Sequence, residues 1–113
     1  MGLEYNITDN SGIILNASKE AIARALEEVG IHLEGEAADE LENSPRRVDT
    51  GRLKGSIIHM VDGNTVTVGT NVEYAIYVHE GTRKMAPNRF LKNAFDRNYD
   101  QVKQYILSHL KNG

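Results

Sequence analysis

Three features of this chain have residue types and spacings that could do chemistry: histidines beside carboxylates, a glycine–lysine–serine run, and two clusters of cations. His32 and Glu36 stand four residues apart, and His79 adjoins Glu80. A zinc site needs several ligands converging on one point, and each of these is only a pair. At helical spacing a His–Glu pair reads as a surface ion pair contributing roughly 0.2–0.5 kcal/mol. His109 falls near the end of the last predicted helix, where positive charge is favourable. Gly51-Arg52-Leu53-Lys54-Gly55-Ser56 resembles a phosphate loop only superficially. That loop needs its lysine after the second glycine and a strand upstream, whereas here Lys54 precedes Gly55 and a helix lies upstream. There is no Gly-x-Ser-x-Gly elbow. The chain has no cysteine, which excludes thiolate chemistry, disulfides and Cys-based zinc sites. The expectation is a non-enzymatic protein without cofactor or metal.

The cations are unevenly placed. Residues 1–44 hold ten acids and two bases, and residues 45–113 hold six acids and eleven bases. Arg46, Arg47, Arg52 and Lys54 cluster before a predicted hairpin, and Arg83, Lys84, Arg89 and Lys92 cluster around the start of the last helix. These two patches could meet phosphates, so an accessory role in DNA binding, without sequence specificity, is the alternative function. Stacking aromatics are not interleaved with them, however, and the sequence pI is about 5.8. An acidic half and a basic half also suit head-to-tail self-association. No apolar run approaches the ~18 residues of a membrane span, and residues 1–8 do not read as a signal peptide.

The elements that must position these residues follow from periodicity. At 113 residues the chain fits one domain. Leu3–Thr8 alternates and reads as a short edge strand, followed by a turn at 9–12. From Ser18 to Asn43, Ile22, Leu26, Val29, Leu33, Ala37 and Leu41 form one apolar stripe of a long helix. Ser18 caps it and Pro45 stops it. Gly30 sits at the margin of the stripe, where close packing could require it. Gly35 sits on the outer face without an evident reason. Residues 45–51 read as a polar connector. Ser56–Val61 and Thr65–Thr70 flank Asp62-Gly63-Asn64 as a hairpin. A three-residue loop is preferred, because it places Ile58, Met60, Val66 and Val68 on one face and points His59 away. Residues 72–80 lean to a short helix stopped by Gly81. Pro87 is placed to open the last helix, which carries Leu91, Ala94, Phe95, Val102, Tyr105 and Ile106 on one side, with Asn98 interrupting. The expected fold is α+β: a small, mostly antiparallel sheet around the hairpin, packed against a long N-terminal helix and a C-terminal helix.

Three blocks, in order, carry a resemblance. Ser44-Pro45 followed by Val48-Asp49-Thr50-Gly51-Arg52-Leu53-Lys54-Gly55-Ser56-Ile57 resembles the Pro-x-Asp-Thr-Gly-x-Leu-x-x-Ser signature of small neck proteins of long-tailed bacteriophages. Val68 to Thr82 resembles the Tyr-Ala-x-x-x-Glu-x-Gly-Thr core of that family, with Glu80-Gly81-Thr82 lacking the intervening residue. Pro87-Asn88-Arg89-Phe90-Leu91-Lys92-Asn93-Ala94 is similar to its Pro-Phe-Leu-x-Pro-Ala segment, departing at Asn88-Arg89 and Asn93. The order of blocks covers about half the chain and is more specific than any one of them.

The resemblance implies a head–tail connector or tail-completion protein of a phage or prophage. Such a protein acts as a ring in the virion, monomeric when free, and docks to neck or tail proteins. It would be found in the host bacterial cytoplasm during assembly and then at the head–tail junction. Within the blocks, Asp49 or Thr50 would bond backbone amides in a turn, and Gly51 would permit positive φ. Leu53 would pin the turn to the core, with Ser56 closing the block. Tyr74 and Tyr77 would bury their rings, Gly81 and Pro87 would set helix boundaries, and Phe90 and Leu91 would anchor the last helix. Arg52, Glu80, Arg89 and above all the 82–86 loop, with Thr82, Arg83, Lys84 and Met85, are the expected partner contacts.

Overall fold

The computed structural model describes residues 2–8, 18–43 and 50–112. The element order is β1 (Leu3–Thr8), α1 (Lys19–Glu40) running into a 3₁₀ turn (Leu41–Asn43), α2 (Thr50–Ser56), β2 (Ile58–Asp62), β3 (Thr65–Thr70), α3 (Ala75–Glu80) and α4 (Phe90–Asn112). The three strands form one antiparallel sheet in the order β1-β3-β2. One face of that sheet packs on α1, which in turn lies along α4, giving the expected α+β architecture.

Local chemistry explains most boundaries. The Ser18 Oγ accepts the Ala21 N–H at 3.1 Å and caps α1. Leu26, Val29, Leu33, Ala37 and Leu41 bury the α1 stripe in one core with Leu53, Val66, Val68, Phe90, Leu91 and Ile106. The connector proposed to end α1 at Pro45 lies outside the described residues, as do the 9–12 turn and Asp49.

The hairpin differs from expectation. Asp62 pairs with Thr65, Val61 with Val66 and His59 with Val68, so the loop is the two residues Gly63 and Asn64. Gly63 takes φ +59, the left-handed conformation that such short loops require. The register is therefore one residue away from the expected one, and the faces exchange. His59 and Val61 point toward α1, while Ile58 and Met60 stand 43% and 54% exposed on the open face. A histidine on the inner face is tolerated because α1 supplies carboxylates to both ring nitrogens.

Four further expectations are corrected. Thr50 and Gly51 belong to the first turn of α2, not to a loop, and Gly51 is not among the positive-φ glycines. Ser56 ends that helix and does not begin a strand. Tyr77 is 61% exposed, because the inward face of α3 is taken by Ala75, Val78 and His79. Pro87 does not open the last helix, which starts at Phe90.

Candidate functional site

Among the described residues, parts of the blocks that carry the resemblance meet at one corner of the molecule. Leu53 is fully buried from α2, and a chain of hydroxyls ties the end of that helix to the sheet. The Ser56 O–H donates to the Leu53 carbonyl at 2.6 Å, so Ser56 Oγ must accept from Thr70, also at 2.6 Å. Thr70 Oγ1 in turn accepts the Val72 N–H at 3.1 Å. Thr70 is wholly buried, and without this relay its hydroxyl would be an unsatisfied polar group costing about 1–3 kcal/mol. Ser56 thus ties the end of α2 to the sheet through a partner that sequence spacing does not reveal.

Outside this relay, Arg52 grips the loop before α3. Its guanidinium lies 5.3 Å from the Tyr74 ring centroid and meets the Glu73 carboxylate through both terminal nitrogens, at 3.4 and 3.3 Å. The Glu73 carboxyl is held below the usual carboxylate range by its own backbone N–H and by Arg52.

The far side of the corner is organised by His79, which is buried on α3 between the rings of Tyr5 and Phe90, with centroids 5.5 and 5.3 Å away. Its Nε2 accepts the Lys92 backbone N–H at 3.3 Å, which leaves Nδ1–H to donate to Glu80 at 2.8 Å. Burial pushes the imidazole pKa down despite Glu80, with Arg89 and Lys92 adding to the shift. Glu80 is lowered by the His79 N–H and by Arg89, 3.7 Å away. Sequence reading placed His79 beside Glu80 but missed its role as the core plug between α3 and α4. A histidine two residues before a helix-ending glycine carries no signal of that burial.

Gly81 then turns the chain at φ +82, and a Cβ there would fall 2.8 Å from the Pro87 nitrogen. Thr82 and Met85 bridge reciprocally, N–H to carbonyl at 2.8 and 3.3 Å, and Thr82 Oγ1 accepts the Lys84 N–H at 3.2 Å. The expected contact loop is therefore a hydrogen-bonded turn, with Thr82, Arg83 and Lys84 exposed at its tip. Met85, expected to be exposed, is half-buried and packs on the core. Asn88 Nδ2 donates to the Glu40 carbonyl at 3.0 Å, which ties the segment after the turn to the end of α1.

A second cluster, also missed in sequence, lies where α1 meets β2. His59 Nδ1 and Nε2 each sit 2.6 Å from a carboxylate, Glu34 and Glu27 respectively. Both nitrogens must donate to ionised acceptors, which requires the imidazolium. Partial burial works against that charge, but the two carboxylates outweigh it and raise the pKa. Gly30 lies directly beneath, and a Cβ there would enter the His59 ring.

His32 Nε2 donates to Asn98 Oδ1 at 3.1 Å, and Asn98 Nδ2 donates to the Ala94 carbonyl at 2.8 Å. This explains how Asn98 can interrupt the apolar side of α4. Beside it a groove of about 330 Å³ runs between α1 and α4, lined by Val29, His32, Val102 and Tyr105 among others.

Among the described residues, no group of three or more histidines and carboxylates could hold a metal ion, and no helix is long and apolar enough to cross a membrane. Several described members of the two cationic patches are taken up in ion pairs. Arg52 pairs with Glu73, Lys54 with Glu42, Arg89 with Glu80 and Lys92 with Asp96. Arg46 and Arg47 lie outside the described residues. Comparison with family models, with curated proteins and with solved structures finds no match to this chain.

Proposed function

We propose that this chain is a non-enzymatic structural subunit of a tailed-phage or prophage virion. It joins or completes the tail at the head–tail interface, assembled as a ring with its own copies and with neck or tail proteins. The observation that carries the reading is how the three resembling blocks are used. Their residues are consumed in building a rigid corner through Leu53, the Ser56–Thr70 pair, Gly81, Phe90 and Leu91. The same elements turn apolar side chains outward: Ile76 and Tyr77 on α3, and Ile58 and Met60 on the adjoining hairpin. A scaffold that holds exposed apolar groups on rigid elements suits surfaces completed by a neighbour. Weak contacts of this kind gain strength when ring symmetry and a docking template repeat them.

Negative-stain microscopy of particles produced without this chain tests the proposal. Mature heads and unattached tails are the expected products. Intact, normally joined virions would refute it. Duplex-DNA affinity of the purified chain that falls steeply with salt would support the DNA-binding alternative.

A further inference from the structure

β2 is an edge strand whose outer side is open. The hairpin closes on the Asp62–Thr65 pair, and in a two-residue hairpin that pair exchanges both of its backbone hydrogen bonds. Alternation then turns the N–H and C=O groups of Ile58, Met60 and Asp62 toward β3, and those of His59 and Val61 away from it. Among the described residues, no backbone group bonds to this outer side. Residues 58–62 contain no proline or lysine to guard it, and their pairing with β3 runs without a bulge. The inward-pointing His59 is answered by carboxylates of its own α1. The side chains beside the edge are apolar and exposed: Ile58 and Met60 on the open face of the sheet, and Ile31 on α1. Ile31 shares a helix face with Glu27 and Glu34, four residues after one and three before the other. Those two carboxylates reach the His59 ring, and β3 lies on the other side of β2, so Ile31 stands just beyond the open edge. At the opposite edge of the sheet, β1 turns Glu4, Asn6 and Thr8 to the same open face and lacks this apolar border.

We infer that β2 pairs antiparallel with β2 of a second copy of this chain, joining two three-stranded sheets into one of six strands. The open backbone groups fix the register. Centred on Met60, the pairing sets His59 opposite Val61 of the partner subunit on both sides of a two-fold axis. All the outward N–H and C=O groups of the two strands then find each other. A centre at His59 would draw on Ile57, whose N–H is taken by the Lys54 carbonyl at 3.3 Å. A centre at Val61 would draw on Gly63, which lies in the turn at φ +59. The Met60 register also sets Met60 against its own copy with each Ile58 diagonal to it, and Asp62 faces Ile58 instead of a second Asp62. Below the sheet the fit is similar. α1 packs about equally on β2 and β3, and neighbouring strands stand about 4.8 Å apart. Two α1 helices related by this axis therefore lie about 10 Å apart, near the ~8–10 Å spacing of packed helices, and each covers the other's Ile31. Such a contact uses one patch twice and closes on itself. It goes beyond the virion reading without depending on it, and it puts a dimer in place of the free monomer that the resemblance implies.

Hydrogen exchange of the unaltered chain, dilute and concentrated, tests the pairing. The amides of His59 and Val61 should exchange freely in dilute protein and slow about tenfold or more on concentration. Those of Ile58 and Met60, bonded to β3 in both states, should not respond. Because the chain has no cysteine, Met60→Cys adds a covalent readout. Position 60 meets its own copy at a non-hydrogen-bonded pair, where Cα atoms stand about 4.5 Å apart, within the reach of a disulfide. Under mild oxidant the 60–60 dimer should form about tenfold faster than the dimer of Asn6→Cys, an exposed position in the same row of the sheet. A chain that stays monomeric when concentrated overturns the inference, and so does equal cross-linking of the two variants. Protection of the Glu4 and Asn6 amides in place of those at 59 and 61 also overturns it, since β1 would then be the edge that pairs. None of these outcomes touches the virion reading, which the particle microscopy judges separately.

Discussion

The His59 seam and the His79 corner hold the molecule together with the same side chain in opposite states. His59 is only partly covered and is clamped between two carboxylates, so it holds its proton more tightly than a free imidazole does. His79 has no solvent exposure and is packed between aromatic rings, so despite Glu80 it gives its proton up and works as a neutral donor and acceptor. One carboxylate does not outweigh full burial, whereas two outweigh partial burial. Charge fixes the sheet to α1, and packing fixes α3 to α4.

The largest effect expected from breaking this contrast is at the packed corner. His79→Ala opens a cavity and leaves the Lys92 N–H without its acceptor, at a cost of about 3–4 kcal/mol in urea unfolding. Gly81→Ala, which combines backbone strain with a clash against Pro87, should cost about 2–3 kcal/mol by the same measurement. At the seam, Gly30→Ala should cost about 1–3 kcal/mol through overpacking against His59. Most of that cost should vanish in a His59→Ala background, because the two residues occupy one space. Full additivity in that cycle would show that the ring is not what Gly30 accommodates.

The two histidines should also give stability opposite slopes with pH. His59 binds its proton more tightly in the folded chain. Its contribution is therefore complete below about 6.5 and is lost as pH rises through the raised folded value. The folded state resists protonation of His79, which the unfolded chain accepts, so acidification below about 6.5 favours unfolding there. His59→Gln should leave a stability that rises with pH only below about 6.5, and His79→Gln one that falls with pH only above it. Parallel profiles in chemical denaturation would contradict the contrast. The smallest effect belongs to neither site: Gly35→Ala should stabilise the fold by about 1 kcal/mol, since the position is open and helical.

Much of this was legible in the residues. The apolar stripes, the Ser18 cap, the hairpin turn at Gly63 and the stop at Gly81 are local signals, each decided within a few residues of the chain. They are enough to specify two long helices, an antiparallel hairpin and the α+β arrangement. The suspicion that Gly30 permits a close approach was also correct, although its neighbour could not be named. The α2 helix was not legible: it has only seven residues, two of them glycine, and stands on burial of Leu53 more than on propensity.

Only the tertiary structure decided the register of β2. Local alternation favoured Ile58 and Met60 as the inner pair. That choice loses to His59 because two carboxylates, 25 and 32 residues away on α1, accept from both nitrogens of its ring. The exposure of Tyr77 and the burial of His79 were settled in the same way, by which face of α3 meets Phe90 and Tyr5. Period and capping energies depend on neighbours along the chain and can be read from it. The energy of a buried polar group depends on partners brought near by folding, and those are visible only once the chain has folded.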